Sequence, residues 1–202
     1  MRPVAKRAFD LVVSLTAIVV LLPVLLAIAL AIKLDSRGPV LYRQQRIGRG
    51  GRPFVMLKFR SMRSDADRIA PNVSPAGDPR ITRAGAFLRR WYLDELPQLW
   101  NVATGDMSMV GPRPETPEYV AMYSAEELGV LSVRPGIAGP STLAFMDEGL
   151  LLASSSDAAE FYVTNILHHR VRLDLEYVRS RASLATDLRL LLRQAAAIVV
   201  RG

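Results

Sequence analysis

The chain has 202 residues, with 26 Lys and Arg against 19 Asp and Glu, so its formal net charge is +7. It has no cysteine, which excludes a disulfide-stapled module, thiol nucleophiles and cysteine-held metals. Half its residues are apolar, too many for a disordered chain, and the length suits one domain, with or without an appendage. The basic balance admits nucleic acid, an anionic membrane surface or a phosphate-rich substrate as partner, and composition does not choose among them.

Leu11 to Ile32 is a run of 22 uncharged residues, nearly all Leu, Val, Ile or Ala. It is too long for a signal-peptide core and no small-residue cleavage site follows it. A plain transmembrane helix is the simplest alternative, since the run reaches about 33 Å against a hydrocarbon core of about 30 Å. Two features favour a helix–break–helix that enters and leaves by one face. Pro23 divides the run into Leu11–Leu22 and Val24–Ile32. Basic residues flank both ends: Arg2, Lys6 and Arg7 before it, and Lys33, Arg37, Arg43, Arg46, Arg49 and Arg52 after it. Such residues mark the cytoplasmic side, and a single crossing leaves only one end there.

Gly38-Pro39 signals a turn, after which Val40–Tyr42 reads as a short strand. The basic glycine-rich stretch Arg46–Arg52 then leads to an apolar run, Phe54–Phe59, that can pair back as a hairpin. Ser64–Pro79 reads as a surface loop. Phe87, Leu88, Trp91 and Tyr92, then Leu96, Leu99 and Trp100, carry helical spacing interrupted at Pro97, so two short helices are expected to meet near Leu93–Leu96. Glu115–Leu131 is expected to be helical, Ser154–Asp157 to cap a helix starting at Ala158, and Asp187–Val200 to form an amphipathic helix.

Familiar catalytic devices are few. The glycines near Gly48 form neither a Walker loop nor a dinucleotide fingerprint, and the two histidines, His168 and His169, lack metal-ligand spacing. The adjacent acids Asp94 and Glu95 are sharper. They lie at the expected helix break, where they are suited to capping the second helix, to acting as a reactive pair, or to both. Arg60, Arg63, Arg80, Arg83, Arg89, Arg90 and Arg113 surround them in sequence. Scattered arginines usually form a solvated face. Arg113, however, is held between two prolines, Arg60 stands in an apolar context, and guanidinium groups grip phosphate bidentately. Carboxylates, arginines and an anchor together suggest a divalent metal and a diphosphate substrate at a membrane surface.

These residues carry a resemblance to the bacterial sugar transferase family, the small monotopic phosphoglycosyl transferases. The matching stretches are Lys6-Arg7 with Asp10, Asp35–Val40, Gln45–Gly48, Lys58–Met62, Asp78–Thr82, Leu93–Gln98, Gly105–Pro114, Asp174–Tyr177 and Asp187. They appear in the family's order over almost the whole chain. The resemblance implies an α+β fold: a small, mixed, helix-rich catalytic domain with a short β-hairpin, residues 35–202, carried on a re-entrant membrane helix broken at Pro23, residues 1–34. It is closest to the minimal form, without a large preceding membrane domain. The implied activity is transfer of a sugar 1-phosphate from a UDP-sugar to a polyprenol phosphate such as undecaprenyl phosphate, with release of UMP. It would run through a covalent intermediate on Asp94, on the cytoplasmic face of the inner membrane. Glu95 is the implied metal or base partner, Asp94 and Glu95 the implied Mg²⁺ site, and Lys58, Arg60, Arg89 and Arg113 the expected phosphate contacts. Membrane lipid is an expected partner, nucleic acid is not, and a homodimer stays open. The rival readings are a catalytically silent membrane-anchored scaffold of the same fold and a basic nucleic-acid binder, which leaves the apolar run unexplained. The sequence departs from the family at Arg134–Thr142, which bears on sugar specificity. It also has Leu22 before Pro23, where a serine is common.

Overall fold

The computed structural model describes residues 3–66, 73–180 and 183–201. Arg2 and the stretch 67–72 of the expected loop lie outside them. The first element is one helix, α1, Pro3–Asp35, with Pro23 inside it. The expected separation into two helices at Pro23 is therefore not seen, and the chain stays helical through the proline. Packing on both sides of Pro23 accounts for this. Phe9, Val13, Ala17, Ile18 and Leu21 lie against a core of Met56, Leu99, Val102, Met107 and Val110. Leu25, Ile28, Ala29 and Ile32 lie against Phe59 and Leu88. One stripe of the helix is thus held along its length, which offsets the one backbone hydrogen bond that proline removes. Its other side exposes Val12, Leu15, Val19, Val20, Leu22, Val24, Leu26 and Leu30.

Polar contacts fix both ends of α1. The Lys6 ammonium donates to Asp187 Oδ2 at 2.6 Å and to the Val110 carbonyl at 3.0 Å. At the other end, Asp35 Oδ2 accepts from the Ala84 backbone N–H at 3.0 Å.

Strands β1, Leu41–Ile47, and β2, Pro53–Phe59, form an antiparallel hairpin across the glycine loop, with Leu41 opposite Phe59 and Ile47 opposite Pro53. β1 is longer than its apolar residues suggested. Arg46 can occupy the buried side of the strand because Glu115 lies 3.2 Å from its guanidinium. Helix α2, Arg83–Arg90, is capped by Thr82 Oγ1, which accepts from Gly85 N. A 3₁₀ turn, Leu93–Glu95, separates it from α3, Gln98–Thr104, so the break falls where Pro97 indicated. A short parallel pair follows, β3, Ser108–Val110, with β4, Gly136–Ala138. Glu115–Leu131 is not one helix. It contains α4, Pro117–Val120, and a 3₁₀ segment, Glu127–Ser132. The Glu127 carboxylate accepts from Ser124 N at 2.8 Å, a local bond that closes a turn between them in place of continued helix.

The remaining helices are α5, Pro140–Ala144; α6, Glu148–Ala153; α7, Ala158–Phe161; α8, His168–Arg179; and α9, Leu184–Arg201. Asp157 caps α7 as expected, accepting from Ala159 N and Glu160 N. A π-helical turn, Tyr162–Leu167, joins α7 to α8, and its buried Tyr162, Ile166 and Leu167 form a third apolar cluster with Val130, Leu152, Val171 and Leu175. The result is a helix-rich mixed fold with two small sheets.

Candidate active site

Asp94 and Glu95 sit in the 3₁₀ turn between α2 and α3, and each is only 8% exposed. The residue before that turn, Tyr92, is the one non-glycine residue with positive φ among the described residues, at 55°. A left-handed tyrosine is strained, and strain of this kind gathers at sites the surrounding structure holds rigidly. Its hydroxyl is tied to the Met146 carbonyl at 2.7 Å. Neither acid caps α3, whose N-cap is Pro97 with no side-chain bond. The capping alternative is therefore not realised.

Lys58 comes from β2. Its ammonium meets Glu95 Oε1 at 2.7 Å. Asn101 of α3 fixes the strand beside the dyad, accepting from Leu57 N at 2.9 Å and donating to the Val55 carbonyl at 2.8 Å. Arg113 approaches from the loop after β3, its guanidinium 3.8 Å from the same Glu95 oxygen. The Asp174 carboxylate holds that loop. It accepts from Arg113 N at 2.9 Å, from Ser141 N at 3.1 Å and from Ser141 Oγ at 2.7 Å. Arg89, in the last turn of α2, donates to Ser74 Oγ at 2.9 Å and contributes positive field at Asp94.

Lys58, Arg89, Arg113, Asp94 and Glu95 thus line one cavity of about 610 Å³. Arg60 lines it too, but its guanidinium is committed elsewhere. It donates to the Arg37 carbonyl at 2.7 Å and to the Ser36 carbonyl and hydroxyl at 2.8 and 3.0 Å. Gly38, at φ 126°, leaves room for that guanidinium, which a Cβ there would strike. Pro23 lies on the exposed side of α1 and takes no part in this cavity.

The two acids differ electrostatically. Burial pushes the Asp94 carboxyl up; Lys58 and Arg89 oppose this and the neighbouring Glu95 charge adds to it. Burial acts on Glu95 too, but the Lys58 ammonium and Arg113 guanidinium outweigh it and hold the carboxyl at about 2. Glu95 is accordingly a fixed anion, whereas Asp94 accepts no hydrogen bond from another side chain among the described residues. Its oxygens are available to a substrate or a metal. No group of three or more potential metal ligands occurs among the described residues. Two adjacent carboxylates suit Mg²⁺, which retains water and takes its remaining ligands from substrate phosphates.

Further charged residues that the sequence did not single out line the same cavity. Glu115 accepts from the Tyr162 hydroxyl at 2.7 Å, and Arg170 donates to Glu148 Oε2 at 2.8 Å. Glu115 directly follows the Pro-Arg-Pro segment, which was a signal. Glu148 and Arg170 lie far apart along the chain and carried none. The histidines lie outside this cavity, with His168 Nδ1 2.9 Å from Glu127 Oε1.

Comparison with known proteins bears on this arrangement. Residues 1–201 match the family described as bacterial sugar transferase. The undecaprenyl-phosphate glucose phosphotransferase of Komagataeibacter xylinus is 44% identical over 182 residues, 87% of this chain but 32% of that protein. The UDP-glucose:undecaprenyl-phosphate glucose-1-phosphate transferase of Caulobacter vibrioides is 40% identical over 193 residues, 93% of this chain and 67% of that protein. The exopolysaccharide production protein PSS of Rhizobium leguminosarum is 56% identical over 113 residues, 54% of this chain and 56% of that protein. The chain thus spans about a third of the first relative and about two thirds of the second. With the match extending over nearly its whole length, the chain belongs to the bacterial sugar transferase family.

Proposed function

We propose that this chain transfers a sugar 1-phosphate from a UDP-sugar to a polyprenol phosphate, releasing UMP. The observation that carries this reading is a buried carboxylate, Asp94, free of side-chain donors and set among Lys58, Arg89 and Arg113 in a single cavity. The names of the relatives, which specify undecaprenyl phosphate as acceptor and UDP-glucose as donor, support it.

In the first step an Asp94 oxygen attacks the sugar-bearing phosphorus. A new carboxylate O–P bond forms as the bond from that phosphorus to the bridging oxygen breaks, and UMP leaves with the oxygen and its electron pair. In the second step an oxygen of the polyprenol phosphate attacks the same phosphorus. The Asp94–phosphorus bond breaks, the carboxylate is regenerated, and the product is a polyprenol diphosphate sugar. Dividing the transfer in this way lets each substrate bind in turn. Lys58, Arg89 and Arg113 supply fixed positive charge to phosphoryl oxygens that carry negative charge throughout. Glu95 anchors Lys58 and Arg113 in place. Asp94 and Glu95 are the residues that would hold Mg²⁺, which when bound offsets the charge of the diphosphate.

The contacts of α1 support one membrane arrangement. This helix is long and apolar enough to cross a bilayer. Yet Lys6 near one end and Asp35 at the other both bond to the same catalytic body, and one stripe packs on that body between them. A straight crossing would draw this polar body into the hydrocarbon. A helix whose two ends both stay at the cytoplasmic face, with its exposed apolar side in lipid, satisfies both contacts and the basic flanks.

The test is incubation of the purified protein with a panel of UDP-sugars, Mg²⁺ and undecaprenyl phosphate, with UMP as readout. UMP release from at least one donor is expected, with a loss of about 10³-fold or more in Asp94→Asn. Absence of UMP with every donor, or full activity in Asp94→Asn, would overturn the assignment.

A further inference from the structure

The cavity is not uniformly basic. Besides the residues around Asp94, its wall includes Glu148, Thr142 and Thr116. A carboxylate facing a cavity that admits phosphates requires explanation, because it repels them. Glu148 Oε2 accepts from Arg170 at 2.8 Å, while Oε1 has no hydrogen-bond donor among the described residues. Its side chain is 22% exposed and the residue lines the cavity. Glu148 lines the same cavity as Asp94, Lys58 and Arg113.

The two threonines point to the same kind of ligand. Thr142 and Thr116 are 3% and 4% exposed, and neither hydroxyl has a hydrogen-bond partner among the described residues. A buried hydroxyl without a partner is costly, and a ligand that supplies one removes the cost. Thr142 also ends the segment Arg134–Thr142, and its neighbour Ser141 is held by Asp174, the residue that positions Arg113. An uncharged group rich in hydroxyls meets all these demands: it donates to a carboxylate, as an ionised phosphate cannot, and it also pairs with threonine hydroxyls.

We infer that Glu148 and Thr142 form the sugar-reading subsite of the donor cavity, with one ring hydroxyl donating to Glu148 Oε1 and a second pairing with Thr142 Oγ1. This rests on the transferase reading above. The same chemistry is available from the ribose of the nucleotide, and the experiment separates the two sources.

Binding of UDP-glucose, UDP-galactose and UMP is measured by calorimetry on the full chain in detergent with Mg²⁺, for the parent protein, Glu148→Gln and Thr142→Val. The two UDP-hexoses differ in the orientation of one ring hydroxyl. Glu148→Gln is expected to weaken the better-bound hexose donor about 10-fold or more, to narrow the ratio between the hexoses, and to change UMP affinity less than about 2-fold. Thr142→Val, nearly isosteric, is expected to act in the same direction and serves if Glu148→Gln does not fold. Equal weakening of UMP and UDP-hexose would assign these residues to the nucleotide and overturn the inference, as would unchanged affinities. Turnover of the parent protein is read separately. Selective binding without UMP release would refute the transferase reading and leave the subsite standing. Turnover with unaltered selectivity in both variants would do the reverse, and no binding of any UDP-hexose would refute both.

Discussion

Replacing Lys58 by Met retains most of the side chain and removes the ammonium that lies 2.7 Å from Glu95 Oε1. Glu95 is held at about 2 against a usual 4.5, although burial pushes it the other way. Lys58 is the nearest cation, and Arg113 at 3.8 Å is the partner that would remain. Leaving the carboxylate buried beside Arg113 alone is expected to lower the unfolding free energy at pH 7 by about 2–3 kcal/mol. The sign with pH is fixed. A carboxyl lowered in the native state adds stability above its unfolded value, and that stability is lost as pH falls from about 4.5 towards 2. In Lys58→Met this acid limb is expected to shrink. Adding Glu95→Gln is expected to recover about half or more of the loss, because no unpaired charge then remains buried. Urea unfolding in detergent, followed by the fluorescence of Trp91 and Trp100, measures all four proteins of the cycle. A change under about 0.5 kcal/mol in Lys58→Met with an unaltered acid limb would refute the view that the pair is a buried, mutually dependent unit.

In the proposed mechanism Asp94 attacks as the ionised carboxylate, and because burial raises its carboxyl, the acid limb of kcat/KM is expected above the ordinary aspartate value of 3.8; a limb at or below that value would contradict it. Asp174 is pushed up to about 6 by burial despite donors from Ser141 and Arg113, so its contribution to stability is full at low pH and is lost as pH rises from about 4 to about 6. In Asp174→Asn that decline is expected to disappear from the unfolding profile, and kcat/KM is expected to fall as the Arg113 loop loosens. Single cysteines placed at Val4 and Leu34, both exposed in a chain with no cysteine of its own, are expected to be labelled by an impermeant maleimide from the same side of the membrane; labelling from opposite sides would establish a crossing.

Several elements were legible because their signals are local. The apolar run Leu11–Ile32 is helical, the hairpin closes over the glycines, and Pro97 marks the step from the dyad turn into α3. Others were not. Glu115–Leu131 has helical composition, but local bonds at Ser124 and Glu127 divide it. Pro23 suggested a separation that packing on either side of it prevents. Arg60 looked like a phosphate ligand by context, yet it donates to the turn at Ser36 and Arg37, a partnership visible only once the turn and the strand are adjacent.

By itself the sequence determined the long apolar helix, the acidic pair and the family, because hydrophobic length, residue type and motif order do not depend on folding. Which cations stand beside the acidic pair, which acid is fixed as an anion and which is free, and that Glu148 lines the same cavity were decided by tertiary structure alone. Charge acts over a few ångströms of space, and Lys58 and Arg113 are brought within that range of Glu95 only when β2 and the β3 loop pack around the cavity that Glu148 of α6 also lines.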